Sequence, residues 1–366
     1  MREGQHLRIP GPTDVPPSVL RAMSRPMMNH RGPEFAALSA SVNAGLKAIL
    51  GAPDMDVLTL TCSGTGVMEA AVANLVSPGD KVLVASSGVF GERFVEILKA
   101  YGAVVDVISS APGEPVSPKE VAKKIEADNK LDYKAVFATH NETSTGVTND
   151  VKAMAATLED HPALFVVDAV SSFGALELDP AWGIDVVISG SQKALMCPPG
   201  LGIIALNKDA WSAVDAAKSP RFYFDLRSWR KYAEKGQTPV TPAVSIMYAL
   251  DEALRLINEE GVKNVFARHK RIGNMVRSGV KSLGLELFAK KGASDIVTSV
   301  NVPYSIDVKT LLGIARERYN VIFAGGQKDL AGKIFRIGHV GHVGDEDILL
   351  ALTVLETSLS ECGFTK

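Results

Sequence analysis

Two spacings of apolar residues alternate along this chain. Runs that are apolar at nearly every position occur at Val57–Thr61, Lys81–Ala85, Val104–Ile108, Ala135–Ala138, Leu164–Val167, Val186–Ile188 and Gly202–Leu206. Stretches with helical spacing lie between them, at Val67–Leu75, Phe94–Tyr101, Pro118–Ala127 and near Asp150–Leu158. An apolar run without polar interruption predicts a strand buried on both faces. Helices between such strands return the chain to start each one in the same direction. The pattern therefore predicts a series of βαβ units and a mostly parallel sheet flanked by helices. Such sheets bind ligands at the carboxyl ends of their strands, so chemistry is expected in the loops that follow the strands.

The texture differs at both ends of the chain. Residues through Pro17 are rich in Pro and Gly, which predicts an extended arm, because proline removes a donor and the residue before it avoids the helical region. From about Ser245 long helical stretches, Ser245–Asn258 and Val265–Ser282, lead to short strands at Leu285–Leu287, Thr298–Pro303 and Lys333–Val340. We divide the chain into an arm (1–17), a large domain (18–255) and a smaller C-terminal α+β domain (256–366).

Composition narrows the functional classes. With 46% hydrophobic and 22% charged residues, the 366-residue chain has ordinary globular values. Lys and Arg number 39 against 41 Asp and Glu, so no strong field exists to hold nucleic acid or an acidic membrane. The three cysteines, Cys62, Cys197 and Cys362, are odd in number and far apart, which argues against a disulfide framework and for a reducing compartment. No apolar run reaches the roughly 20 residues of a membrane span. The opening MREGQHLRIPGPTDVPP lacks the apolar core of a secretion signal. These features lead us to expect a cytoplasmic protein.

Several candidate chemical groups fall where strands end. Lys193, in Gly190-Ser191-Gln192-Lys193, follows the run ending at Ile188, where burial would lower its pKa as an imine-forming lysine requires. Asp168 ends the strand Leu164–Val167, one strand–connection–strand step earlier. A lysine and a carboxylate on one rim point to pyridoxal phosphate, with the lysine forming the imine and the aspartate keeping the ring nitrogen protonated. Ser63-Gly64-Thr65-Gly66 lies between a strand and a helix, where backbone amides can meet an anion. It lacks the third glycine of a dinucleotide loop and the lysine of a nucleoside-triphosphate loop, so a monophosphate suits it better. Phe90 could stack on a pyridine ring and by position is equally a core residue. Asn141-Glu142-Thr143-Ser144-Thr145-Gly146 offers hydroxyls to a ring oxygen, or caps the following helix.

PGPTDVPP, SGTG, HNETSTGV, VVDAVSSFG, SGSQKAL with PPGLG, and RIGHVG stand in this order along nearly the whole chain. Together they resemble class V aminotransferases of the fold-type I pyridoxal-phosphate-dependent transferases, on the alanine–glyoxylate and serine–pyruvate branch. The resemblance implies an α/β fold, with a large, mostly parallel sheet domain and a smaller C-terminal α+β domain. It implies that Lys193 binds pyridoxal 5'-phosphate as an imine and Asp168 pairs with the pyridine nitrogen. Val170 would pack on one ring face and Phe90 on the other. Ser63, Gly64 and Thr65, with Gln192, would hold the phosphate, Thr143 would lie near the ring oxygen, and Arg336 would bind the substrate carboxylate with a bidentate fork. QTPVTPAVS is similar to the segment that family dimers lend to the neighbouring phosphate site, which points to Thr238 and Thr241 and to a homodimer with shared active sites. Several relatives carry Trp where this chain has Phe90. Asn29, His30 and Arg31, near the arm, are further candidates to approach the substrate.

Other constellations are weaker. His339 and His342 form H-x-x-H with Asp345 nearby, but a glycine-rich strand end is poor scaffolding for a metal. A desulfurase needs a mobile thiol, and no cysteine lies in the approach to Arg336. The expected activity is a ping-pong transamination from a small amino acid, alanine or serine, to glyoxylate or pyruvate. The alternatives are a lyase, a desulfurase, or a transaminase for an aminophosphonate or ureidoglycine. A non-catalytic cofactor-binding subunit would need none of Lys193, Asp168 and Arg336, and a nicotinamide oxidoreductase would need the missing glycine.

Overall fold

The structure is a computed structural model that describes residues 4–365. Its strands are β1 (His6–Arg8), β2 (Asp56–Thr61), β3 (Lys81–Ser86), β4 (Val104–Ser109), β5 (Tyr133–Thr139), β6 (Asn141–Glu142), β7 (Val147–Thr148), β8 (Leu164–Asp168), β9 (Val186–Gly190), β10 (Leu201–Leu206), β11 (Val297–Asn301), β12 (Val321–Gly325) and β13 (Ile334–Gly338). The central sheet has the order β2–β10–β9–β8–β5–β3–β4. Each apolar run in the first two hundred residues became one of its strands, and the expected α/β fold with a mostly parallel sheet is the one observed.

One strand departs from the βαβ series read from the sequence. Neighbouring strands from β9 through β8, β5 and β3 to β4 are parallel, whereas β10 is antiparallel to both β9 and β2. The reason is the connection. Residues 191–200 between β9 and β10 hold no helix, and a parallel crossover needs a dozen or more residues. So β10 folds straight back, and β2 on its far side again points the same way as β9.

The sheet is buried on both faces. Along β8, Phe165 and Val167 belong to one apolar cluster, and Leu164 and Val166 to the other. This period-2 alternation under two helical layers explains why the run shows no polar gap. On the first face, helices Pro33–Leu50 and Val244–Glu260 pack together, with Val42, Leu46, Leu250 and Leu254 in the same cluster. Gly45 permits their approach, since a Cβ there would lie 3.0 Å from Leu254.

A second sheet, β1–β12–β13–β11, has its own core, including Val276, Leu311, Phe335 and Leu355. Its first strand comes from the N-terminal arm: His6, Leu7 and Arg8 pair in parallel with Val321, Ile322 and Phe323. The expected strand at Leu285–Leu287 is reduced to a bridge between Leu287 and Val300. Just beyond it the chain is drawn away, as the Lys290 amide donates to the Gly113 carbonyl at 2.8 Å. Among the described residues no helix is long and apolar enough to cross a membrane.

Phe165 is fully buried in a central strand. Phe165→Ala should cost about 3–5 kcal/mol, read as a lower urea midpoint at unchanged slope.

Candidate active site

Because β2, β3, β5, β8 and β9 point the same way, the loops after them open on one edge of the sheet. Eight of the residues singled out in the sequence, Ser63, Gly64, Thr65, Phe90, Asp168, Val170, Gln192 and Lys193, line one cavity there of about 230 Å³. A larger and more open cleft of about 840 Å³ lies beside Trp182 and Asp185, near the amino ends of β8 and β9. It gathers none of these groups, so convergence of chemistry, not size, marks the candidate site.

Lys193 and Asp168 are held out of water on neighbouring strand ends, at 9% and 3% exposure. Burial, reinforced by the like charge of Arg336, lowers the Lys193 amine to about 8. Its Nζ donates to the Pro10 carbonyl at 2.7 Å. Burial raises the Asp168 carboxyl to about 7, against the pull of the Val170 amide, which donates to Oδ1 at 2.8 Å. Among the described residues no cation lies within ion-pair distance of Asp168. A buried carboxyl short of a cation suits a protonated pyridine nitrogen, and an amine that yields its proton near neutrality suits imine chemistry. The residues present therefore fit pyridoxal phosphate.

The cavity wall at the start of helix Gly64–Leu75 suits an anion. Helix Gly64–Leu75 begins here, with the Ser63 hydroxyl accepting from the Gly66 amide at 3.2 Å. Glycine at 64 lets neighbours close in, since a Cβ there would lie 3.2 Å from Val170 and 3.7 Å from the Gln192 amide nitrogen. The Gln192 Oε1 is buried without a partner. First-turn amides, the helix dipole and a side-chain amide make a setting for a phosphate.

Two further residues escaped the sequence reading. Arg93 also lines the cavity, its guanidinium 4.8 Å from the Phe90 ring centre and Nη1 donating to the Thr65 hydroxyl at 3.1 Å. The available signal was spacing: Phe90 and Arg93 are three apart on helix Val89–Ala100 and share a face. Glu142 is fully buried. Its carboxylate accepts from the amides of Phe90 (2.9 Å), Gly91 (3.3 Å) and Ser144 (3.0 Å) and from the Ser144 hydroxyl (2.6 Å). It thereby fixes the start of that helix against the Thr143 loop. The Ser144 donors are local, but only the tertiary fold brings the Phe90 and Gly91 amides to it, and the sequence alone did not single it out.

Arg336, on β13, is buried beside this site rather than lining the cavity. Its Nε and Nη2 donate to the Gly325 carbonyl at 3.0 and 2.7 Å, and its Nη1 to the Thr143 carbonyl at 3.1 Å. Thr143, expected beside the ring oxygen, is likewise buried outside the cavity lining and meets Arg336 through its carbonyl. Thr238 and Thr241 do not line the cavity: the Thr238 hydroxyl donates to the Val240 carbonyl at 2.7 Å, and Thr241 is exposed. Asn29, His30 and Arg31 form a turn outside the cavity, with Arg31 over the Tyr232 ring and donating to the Thr238 carbonyl at 2.7 Å. His339 is buried against the Thr298 hydroxyl at 2.9 Å, whereas His342 is exposed.

The site makes stability depend on pH. Asp168 titrates near 3.8 unfolded and about 7 folded, so between those values the folded chain holds the extra proton and stability falls as pH rises. Lys193 loses its proton at about 8 folded and 10.5 unfolded, so the penalty of burying its charge is present below 8 and is relieved as pH climbs from 8 to 10.5. Urea unfolding of the cofactor-free chain should show the decline between about pH 4 and 7, and Asp168→Asn should flatten it. An equal decline in the variant would refute this assignment.

The family model described as aminotransferase class-V matches residues 7–329. A soluble hydrogenase 42 kDa subunit of Anabaena cylindrica is 44% identical over 360 residues, covering 98% of this chain and 94% of that protein. A serine–glyoxylate aminotransferase of Arabidopsis thaliana is 38% identical over 365 residues, covering 98% and 91%. The crystal structure of an alanine–glyoxylate aminotransferase from Nostoc sp. superposes with a TM-score of 0.93 at 31% identity, covering 98% and 96%. These matches span nearly the whole chain, and the chain belongs to the class-V aminotransferase family.

Proposed function

We propose that this chain is a pyridoxal 5'-phosphate-dependent transaminase that moves the amino group of a small amino acid, alanine or serine, to glyoxylate or pyruvate in a ping-pong cycle. The observation that carries this reading is the buried Lys193–Asp168 pair lining one cavity together with a helix N-terminus. The serine–glyoxylate and alanine–glyoxylate relatives support the substrate class. The hydrogenase name of the Anabaena relative belongs to that protein, and the Lys193–Asp168 chemistry has no need of it.

When bound, the cofactor supplies an electron-accepting ring that takes up the electron pair of the substrate's Cα–H bond. Asp168 would pair with the ring nitrogen. The Ser63 hydroxyl, the Gly64 and Thr65 amides and the Gln192 side chain would hold the phosphate, while Val170 and Phe90 would flank the ring. Thr143 would lie near the ring oxygen. Lys193, an amine that burial keeps easily deprotonated, takes the proton from the substrate α-carbon at its Nζ and hands it on. Arg336 releases its carbonyl partners to grip the substrate carboxylate, which orients the C–H bond for cleavage. The buried walls exclude water from the amine while it holds the proton.

We further propose a cytoplasmic homodimer in which Thr238 and Thr241 serve the neighbouring subunit's phosphate site. Three free cysteines support a reducing compartment, and the position of both threonines outside their own chain's cavity supports sharing.

The purified protein loaded with pyridoxal phosphate should show the visible absorbance of a lysine imine, which alanine or serine should bleach with release of the matching keto acid. Lys193→Ala should abolish turnover while the cofactor still binds noncovalently; full activity in that variant would defeat the assignment. In Arg336→Lys, loss of the bidentate fork should raise KM for the amino acid by about tenfold or more, measured by initial rates.

A further inference from the structure

The N-terminal arm does more than complete the small sheet. After β1 it turns toward the cavity, fixed by a buried ion pair in which Arg8 Nη2 lies 2.5 Å from Asp14 and 3.7 Å from Asp347. Between those anchors Gly11 and Pro12 become part of the cavity wall. Three contacts then converge on Lys193, and a fourth meets its neighbour Gln192. The Pro10 carbonyl accepts from Lys193 Nζ at 2.7 Å. The Thr13 hydroxyl donates to the Lys193 carbonyl at 3.0 Å, and the Thr13 amide to the Gln192 carbonyl at 3.2 Å. Gly11 lies against the end of the lysine side chain: a Cβ built there would fall 2.5 Å from Cδ and 2.7 Å from both Cε and Nζ.

We propose that Pro10, Gly11 and Thr13 form a cradle that positions the ε-amine of Lys193 whenever it is free, with Gly11 as the positioning residue on which that placement turns. The inference rests on Lys193 being the reacting amine. A carbonyl oxygen only accepts, so Pro10 can hold an N–H of the amine whether it is neutral or charged. In the neutral amine this contact leaves the lone pair unused, free to face the cavity and take a proton. Gly11 sits at φ +140°, a backbone conformation that glycine adopts without a Cβ penalty. The atoms an added methyl would meet are the movable end of Lys193 rather than backbone, so the methyl displaces the amine. The cradle is backed by the small domain: a Cβ at Gly341 would lie 3.0 Å from the Lys193 carbonyl and 3.2 Å from the Thr13 hydroxyl. Gly341 is itself held, its amide donating to His269 Nε2 at 3.0 Å and its carbonyl accepting from Arg268 at 3.1 Å.

The test uses readouts other than turnover. In the cofactor-free chain, acylation of Lys193 by an amine-directed reagent is followed against pH by peptide mapping. The rate of imine formation on adding pyridoxal phosphate is followed by visible absorbance. Gly11→Ala and Thr13→Val should shift the midpoint of Lys193 reactivity away from the wild-type value and slow imine formation by about tenfold or more, the scale of small misplacements at a reacting centre. Thr13→Ser, which keeps the hydroxyl, should rescue both. Thermal unfolding identifies a variant that fails to fold, and if Gly11→Ala fails, Thr13→Val decides. Wild-type midpoint and rate in every folded variant would overturn the cradle while leaving the function intact. A wild-type chain that forms no imine at Lys193 would overturn the functional reading and the cradle with it.

Discussion

An amine and a carboxyl held out of water at adjacent strand ends are what the rest of this structure serves. Desolvation works on them in opposite senses, lowering Lys193 toward 8 and raising Asp168 toward 7, so both titrate near neutrality instead of standing as inert charges. Each also feels its surroundings: Arg336 adds to the depression of the lysine, and Glu142 adds to the elevation of the aspartate. Placing several charged groups in so little water is costly, and the fold offsets that with hydrogen bonds. Glu142 alone accepts from four donors, and Arg336 donates to the carbonyls of Gly325 and Thr143.

The direction of the strands makes this concentration possible. A strand contributes its following loop to the rim only if it points toward it, and the reversed β10 is the exception that supplies the site differently. Since it follows β9 after a short helix-free connection, residues 191–200 must turn back at the rim itself, and Lys193 is carried by that turn. The Ser191 hydroxyl holds the turn closed, donating to the Pro198 carbonyl at 2.7 Å and accepting from the Leu201 amide at 3.2 Å. The lysine thus sits on a constrained hairpin, where its backbone has little freedom to wander.

The arm and the second sheet close the site from the other side. Arg336 reaches the rim from β13, and the arm just beyond β1, a strand of the same sheet, supplies the carbonyl that meets Lys193. Gly338 shows how tightly the two are joined, since a Cβ there would fall 2.0 Å from the Ile9 carbonyl oxygen. The position of the small sheet and the surroundings of the amine are therefore not independent. The exposed bridge from Lys328 to Glu92 (3.0 Å) and Glu96 (3.2 Å) ties the loop after β12 to the helix that carries Phe90 and Arg93.

What the sequence determined by itself was whatever one segment states alone. Strands buried on both faces must be apolar throughout, so β2 to β10 of the central sheet were legible, and with them the strand ends where Ser63, Phe90, Asp168 and Lys193 stand. What it could not state was any relation between distant segments. The reversal of β10, the pairing of β1 with β12, the capture of residues after Leu287 by Gly113, and the meeting of Lys193 with Pro10, 183 residues away, depend on which surfaces come together. Glu142 was missed for a related reason, since the Phe90 and Gly91 amides that complete its shell arrive from 52 and 51 residues away, whereas the spacing of Arg93 from Phe90 was a local signal left unread. Side-chain periodicity is a local consequence of burial and is written along the chain, whereas hydrogen-bond partnership across the rim exists only once the chain has closed upon itself.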